Sequence, residues 1–373
     1  MAKDGAVVPG TRLVAIDWLR GVVMVLMTLD HSSDAFNAGR LFTDSAAFDS
    51  QRLPMADFLT RWVTHICAPT FVFLAGTGLA LSIQRRTRDG ERPGAIDRHI
   101  ILRGLIIAAF ELWMSLVFGN ERTHLVLQVL YAIGLGMVCM AALRRLSTRW
   151  LLCFALLGWV VSEPLAALAS KLGGPLGILP KLLFSLAFLG SWGVEAYPVF
   201  PWLCTMVLGF CFGRWLLAQA PERQAARAWR LLLRCGLGLL TLYLVLRGVN
   251  SYGNMALYRH DGSLVQWLHV SKYPPSLAYW GLELGLAALL LALAFAARLA
   301  WAPLVLLGQT ALFYYLLHAH LLKAASLLLG MHKQAGLLVT YLATVLAVLV
   351  LLPLCSWYRG YKRAHPKGWP QYI

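Results

Sequence analysis

Asp17-Trp-Leu-Arg20-Gly21, followed shortly by Asp30-His31, puts four ionisable side chains into one apolar run. That run, of about 21 residues, is long enough to span a bilayer at about 1.5 Å per residue. A central Asp, Lys or Arg costs about 2.5–3.5 kcal/mol in such a helix. A segment that only anchored the chain would have no reason to carry them. On a helical wheel, Arg20, Met24, Thr28 and His31 fall within about 60° of Asp17, a polar stripe facing other helices rather than lipid. Three later segments carry related groups. Arg61-Trp-Val-Thr-His65 places Arg61 and His65 at i, i+4 on one face. Val270-Ser-Lys272-Tyr273-Pro-Pro-Ser276 leads into a further apolar run, and Tyr314-Tyr-Leu-Leu-His318 lies in another. His with Asp supplies a general base and its orienter, while Lys, Arg or Tyr supplies donors for a developing oxyanion. The catalytic candidates are therefore His31, Asp30, His65, Asp34, Lys272 and His318, with Arg61, Tyr273 and Ser276 as substrate-binding candidates.

Each candidate has a structural alternative. His318 also suits a hydrogen-bonded packing residue, and Arg61 and His65 suit interfacial groups touching lipid headgroups. Lys272 suits a snorkelling lysine. Asp17 and Arg20, at i, i+3, suit an intrahelical ion pair. Glu111, Glu195 and Glu283 read as structural or loop residues.

The elements that position these groups are membrane helices. Of 373 residues, 59% are hydrophobic and 13% charged, about half the charge of an ordinary soluble domain. Apolar runs at about 13–33, 58–83, 100–119, 124–143, 150–170, 198–218, 231–249, 275–297, 303–323 and 335–356 predict an all-α integral membrane protein. The fold class is a bundle of about 10 or 11 transmembrane helices. The stretch 175–192, broken by Gly173-Gly174-Pro175 and Pro180-Lys181, is read as re-entrant or a half-helix. With that reading, most of the 33 Lys and Arg residues gather on one side, and the positive-inside rule makes both termini cytoplasmic. The net charge of +16 follows the same distribution. With no aromatic platform or groove-reading motif beside it, nucleic acid is excluded as a partner. The seven cysteines lie in or beside apolar runs without a CxxC pair and read as small buried hydrophobes, with no metal site. No cleavable signal peptide is evident, and residues 1–373 read as one polytopic domain. Glycine-rich helix faces leave a homodimer open.

Ile16-Asp-Trp-Leu-Arg-Gly21, Met27-Thr-Leu-Asp-His31 and Thr60-Arg-Trp-Val-Thr-His65-Ile-Cys-Ala-Pro69 together resemble a bacterial membrane family. That family is related to heparan-α-glucosaminide N-acetyltransferase. Arg103-Gly-Leu, Tyr197-Pro-Val-Phe-Pro-Trp202, Ser271-Lys-Tyr-Pro-Pro-Ser276 and Leu312-Phe-Tyr-Tyr-Leu-Leu-His318 continue the match. The lysosomal relatives are eleven-segment bundles that take acetyl from cytosolic acetyl-CoA and pass it across the membrane to a terminal glucosamine amine; the resemblance implies the bundle and the acetyl transfer here, but not that acceptor sugar. Where the relatives have Asn at the end of the first helix, this chain has Asp30 followed at once by His31. The relatives' catalytic His lies further into the next loop, so His31 and His65 are both candidates for its role.

The reading that follows is a multi-pass acyltransferase of the bacterial inner (cytoplasmic) membrane, embedded in the lipid bilayer. Acetyl-CoA, as acyl donor, would be held by Arg20, Arg103 and Asp17 with the Arg85–Arg98 cluster. The acceptor would be a hydroxyl or amine of a periplasmic glycan or glycolipid. A polar stripe and a broken half-helix also suit a transporter or flippase. A noncatalytic partner in an envelope complex is the third reading.

Overall fold

A computed structural model describes residues 13–46, 53–119, 124–190, 192–365 and 368–372. The chain folds as an all-α bundle. The helices are α1 (Val14–Phe36), α2 (Met55–Trp62), α3 (Cys67–Arg88), α4 (Pro93–Phe118), α5 (Val129–Leu143), α6 (Thr148–Lys171) and α7 (Ile178–Phe184). They continue as α8 (Val199–Leu217), α9 (Pro221–Val249), α10 (Leu264–Leu268), α11 (Leu277–Ala296), α12 (Ala302–Gln309), α13 (Ala311–Leu328) and α14 (Leu337–Ala364). Local chemistry marks their ends. Proline opens α4, α9 and α12 without losing a helix hydrogen bond. Ser147, Ser263 and Ser276 cap α6, α10 and α11 by accepting from a backbone N–H three residues on.

Eight segments among the described residues are long and apolar enough to cross a membrane. They are Met55–Arg88 (α2 with α3), α4, α6, α8, α9, α11, α13 and α14. The protein is therefore a multi-pass membrane protein. The two other expected spans are present as helices of a different kind. α1 has 23 residues but carries Asp17, Arg20, Asp30 and Asp34, and it packs against α3, α11, α12, α13 and α14 at the centre of the bundle. α5 has only 15 residues, because Leu125–Leu127 ahead of it forms a strand instead.

That strand, β1, belongs to a three-stranded sheet with β2 (Ala187–Phe188) and β3 (Gly193–Glu195), in the order β1-β3-β2. β1 runs parallel to β3, pairing Leu127 with Glu195, and β2 runs antiparallel to it. The stretch 175–192 forms no long helix. Gly174 takes a positive φ of 61°, a 3-10 turn covers Pro175–Gly177, and α7 has seven residues, about 10 Å of helix, before β2.

Two expected continuous helices are broken. Between α2 and α3 the chain makes a tight turn through Val63–Ile66, and Thr310 separates α12 from α13. Gly76 and Gly209 let α3 and α8 touch backbone to backbone, since a Cβ on Gly76 would collide with the Met206 carbonyl and one on Gly209 with that of Phe73. Cysteines 67, 204, 211 and 355 are buried and free, but Cys139, Cys153 and Cys235 are exposed on outer helix faces. For those three the buried expectation is corrected: a helix surface facing acyl chains accepts a small apolar thiol as readily as a core does.

Candidate functional site

At the C-terminal end of α1, charged groups from four parts of the chain meet. Arg61, at the end of α2, is buried between two carboxylates. Its Nη1 donates to Asp30 Oδ1 at 2.5 Å, while its Nε and Nη2 donate to Asp44 Oδ2 at 2.9 and 2.5 Å. Asp30 also accepts from Thr64 Oγ1 at 3.0 Å and Arg40 Nη1 at 3.3 Å, and Arg40 Nε lies 3.3 Å from Asp34. His65, 1% exposed, sits with Nε2 3.2 Å from Asp44 Oδ1. The Tyr279 hydroxyl donates to the His65 carbonyl at 3.1 Å. Burial alone would raise the Asp44 carboxyl, but Arg61, His65 and Lys272 hold it far below the ordinary carboxylate range.

Lys272 and Tyr273 reach this cluster from the loop between α9 and α11. Both backbone N–H groups donate to the Asp44 carbonyl, at 2.8 and 3.1 Å, and His269 Nε2 lies 2.8 Å from the Thr43 carbonyl. Lys272, itself buried, has its ammonium 5.2 Å from the Tyr273 ring centre. The Tyr273 hydroxyl lies 3.5 Å from Arg61 Nη2. Burial would raise that phenol, yet Lys272 and Arg61 outweigh it and hold it below its usual value. Arg247 secures the loop from beneath. Fully buried, it donates to Asn254 Oδ1 at 2.6 Å and to the carbonyls of Leu257, Gln266 and Trp267 at 2.9, 2.5 and 3.3 Å. Glu163 of α6 accepts from Gly253 and Met255 N–H groups on the same loop.

Beside the ionic cluster lies a histidine pair. His318 Nδ1 is 3.0 Å from the Tyr314 carbonyl, which can only accept, so that nitrogen carries the proton. Nε2 of His318 then accepts from Nδ1 of His31, 2.7 Å away. The chain of bonds leaves His31 Nε2 as the basic nitrogen. Phe118 and Tyr315 pack edge-on around the His31 ring at 4.8 and 5.9 Å. Tyr314 also shares a 2.7 Å hydrogen bond with Thr28.

The other end of the bundle is basic. Arg20 donates from Nη2 to the Leu74 carbonyl at 2.7 Å and approaches Asp17 at 3.6 Å. Arg86 lies 3.0 Å from His99 and pairs with Glu91 at 2.8 Å. Arg103 is close enough to feel Arg20, Arg86 and Arg85. Nε of both Arg86 and Arg103 is buried without a hydrogen-bond partner. Arg144 and Arg145 share Asp97 nearby, and Arg214 donates to the Arg144 and Leu146 carbonyls just past α5.

The family described as heparan-alpha-glucosaminide N-acetyltransferase, catalytic, matches residues 12–247. That is nearly two thirds of the chain, from the start of α1 to the end of α9. The chain belongs to this family. No curated protein matches it significantly. The family match takes in Asp17, Arg20, Asp30, His31, Asp34, Asp44, Arg61, His65 and Arg103, while Lys272, Tyr273 and His318 lie beyond it.

Of the residues singled out in the sequence, Asp30, Asp34, Arg61, His65, Lys272 and Tyr273 come together in one ionic cluster, with His31 and His318 alongside. Asp17, Arg20 and Arg103 gather at the opposite end. Two placements differ from the expected roles. Neither Asp30 nor Asp34 hydrogen-bonds the His31 imidazole, because arginines occupy both carboxylates; the partner of His31 is His318. Ser276 is fully buried as the cap of α11, its hydroxyl accepting from Tyr279 N–H at 3.0 Å, so a capping role accounts for it. Sequence reasoning passed over Asp44, Arg40, Thr64 and Arg247. Among the described residues no group of three or more His, Cys, Asp or Glu side chains is placed to hold a metal.

Proposed function

We propose that the protein is a membrane acyltransferase that takes acetyl from acetyl-CoA at its basic end and delivers it at the His31 end to a hydroxyl or amine of a glycan or glycolipid. The observation that carries this reading is the histidine pair within a family of acetyltransferases: the Nδ1 proton of His31 is anchored on His318, which leaves Nε2 to accept a proton. That is the arrangement a general base or acyl-accepting nitrogen needs.

At the other end, Arg20, Arg85, Arg86 and Arg103 form a cationic patch in which the orphaned Nε groups of Arg86 and Arg103 suit phosphate oxygens. Asp17 steadies Arg20. Eleven residues of α1 separate Arg20 from His31, about 16 Å of helix, a gap that the extended pantetheine arm of CoA can cover. In the transfer, the acceptor's O–H or N–H proton goes to His31 Nε2. The acceptor oxygen or nitrogen bonds the acetyl carbon, the C–S bond breaks, and the proton passes to the departing CoA sulfur. Lys272 and Tyr273, fixed by Arg61 and Asp44, supply the positive field for the tetrahedral oxyanion. His65, sealed against Asp44, acts as a positioning residue. The basic end faces the cytoplasm in this scheme, in accord with the positive-inside rule.

The test is acetyl-CoA binding to purified, detergent-solubilised protein, followed by release of CoA thiol with labelled acetyl donor and a panel of amino sugars and glycans. Saturable stabilisation by acetyl-CoA and acceptor-dependent thiol release are the expected results. Movement of an unmodified glycan into liposomes, with no acetyl-CoA binding, would replace this reading with transport.

A further inference from the structure

Behind His65 there is a pocket that the transfer chemistry does not use. It has a volume of about 190 Å³ and is walled by Leu26 of α1, Trp62, Val63 and Ile66 at the turn between α2 and α3, and Glu283, Leu286 and Leu290 of α11. Two polar groups line it. Glu283 is 1% exposed with Oε1 lacking any hydrogen-bond partner, and the Trp62 indole N–H is likewise buried and unsatisfied. An unmade hydrogen bond of this kind costs about 1–3 kcal/mol, so two on residues that wall one cavity call for a common partner.

Water is a poor fit. One water could bridge the two polar groups, but the space is many times the roughly 10–15 Å³ that it needs, and the other five of the seven walls are aliphatic and offer further waters nothing to bond. An indole N–H only donates and a carboxylate oxygen accepts. One hydroxyl group satisfies both, accepting from Trp62 while donating to Glu283. An ether or ester oxygen satisfies only Trp62, and an alkane neither. The aliphatic walls take the stem that carries the hydroxyl. Val63 is exposed, and Leu286 and Leu290 are half-buried on a membrane-crossing helix, so the pocket is reached from the lateral face of the bundle. Its inner wall abuts the ionic cluster, since Trp62 follows Arg61 and Ile66 follows His65 in the chain. Glu283 lies one turn from Tyr279, which holds the His65 carbonyl.

We infer that this pocket binds the hydroxyl end of a lipid-like alcohol that enters from the bilayer. Its role as the docking point for a lipid-borne acceptor rests on the acyl-transfer reading above; the binding itself does not. The experiment uses the full-length protein in detergent, photolabelled with a decanol that carries a diazirine on its chain, with labelled positions mapped by peptide mass spectrometry. Labelling concentrated on 62–66 and 283–290, competed by 1-decanol but not by decane or the methyl ether of decanol, is the expected result. Trp62→Phe should weaken the competition about fivefold, the loss of one hydrogen bond. Glu283→Leu should abolish it, and Glu283→Gln, which keeps an acceptor oxygen, should retain it. Label spread evenly over the outer helix faces, equal competition by decane, or unchanged competition in Trp62→Phe would overturn the inference. Acetyl-CoA stabilisation measured on the same samples separates the two ideas. Its presence without mapped labelling removes the pocket and leaves the transfer reading; mapped labelling without it does the reverse.

Discussion

At one end of the bundle Arg61 is shared between Asp30 and Asp44, and Arg40 between Asp30 and Asp34; at the other, Arg20, Arg85, Arg86 and Arg103 crowd together with far less negative charge. Both arrangements sit beside apolar helices, where an isolated charge is costly. The paired end has dealt with that cost internally. Its groups are buried, geometrically fixed and suited to hold a reacting centre. The basic end has left more of its cost outstanding: Nε of Arg86 and Arg103 lack partners, whereas the orphaned Nε of Arg40 at the paired end still lies 3.3 Å from Asp34. A phosphate-bearing ligand would complete it. On the proposed function the difference separates positioning from recruitment: one end is held by its own ion pairs, and the other would be completed by a ligand.

The comparison is broken most sharply at His31. His31→Ala removes the lone pair and leaves both ionic clusters untouched, so transfer should fall by about 10²–10⁴-fold while acetyl-CoA still stabilises the protein. His318→Ala should cost less, because it removes the anchor of the imidazole and not the base; its readout is a shifted pH–rate profile with the Michaelis constant for acetyl-CoA unchanged. An His31→Ala variant that keeps normal turnover would take the base elsewhere, with His65 the next residue to replace.

Arg61→Met tests the paired end as structure. It leaves Asp30 and Asp44 buried without their shared cation, a loss of about 3–5 kcal/mol, measured as a lowered unfolding midpoint in detergent. Adding Asp30→Asn and Asp44→Asn should recover part of that loss, because the stranded charges go with them. At the basic end Arg103→Gln should do the opposite. Unfolding should barely change or move upward as mutual repulsion is relieved, while the Michaelis constant for acetyl-CoA rises about tenfold, the loss of one charge-assisted contact. Equal destabilisation at both ends would erase the distinction.

The groups that drew attention in the sequence did so because a charge in an apolar run is conspicuous. Asp30, His31, Arg61 and His65 are all of that kind, and they do meet. Asp44 is as central as Asp30, yet it lies in a polar loop where an Asp is unremarkable, and only its tertiary contacts with Arg61, His65, Lys272 and Tyr273 reveal it. Arg247 at the end of α9 looks like one more interfacial cation, whereas it folds back to hold four acceptors of the following loop. The pairing of His31 with His318 joins positions 287 apart in sequence, beyond any local pattern. β1 was hidden for the same reason: Leu125–Leu127 continues the apolar run of α5, and its strand partner is 68 residues on, at Gly193–Glu195. Apolar period and charge count made the bundle legible, but not the tertiary partners that break its helices.

The smallest expected effect refines the comparison within one end. Asp44 and Glu195 are both buried carboxyls outside the membrane-crossing helices, and they titrate in opposite directions. Asp44, among Arg61, His65 and Lys272, is held low, whereas burial pushes Glu195 up to about 9, offset only in part by the Tyr197 backbone N–H. At neutral pH Glu195 is protonated in the fold and ionised in the unfolded chain, whose ordinary value is 4.5. Unfolding then releases a proton, so its contribution to stability declines from about pH 4.5 upward and levels off above about 9. Asp44 works the other way: its contribution is full above the ordinary value of 3.8 and is lost on acidification below it. Glu195→Gln should therefore flatten the fall in unfolding midpoint between pH 6 and pH 9 and leave the acid side unchanged. Asp44→Asn should lower the midpoint throughout that range and weaken its dependence below pH 4. A wild-type midpoint that does not fall between pH 6 and 9 would mean that Glu195 finds a cation or proton donor in the folded protein, and the contrast between the two carboxyls would close.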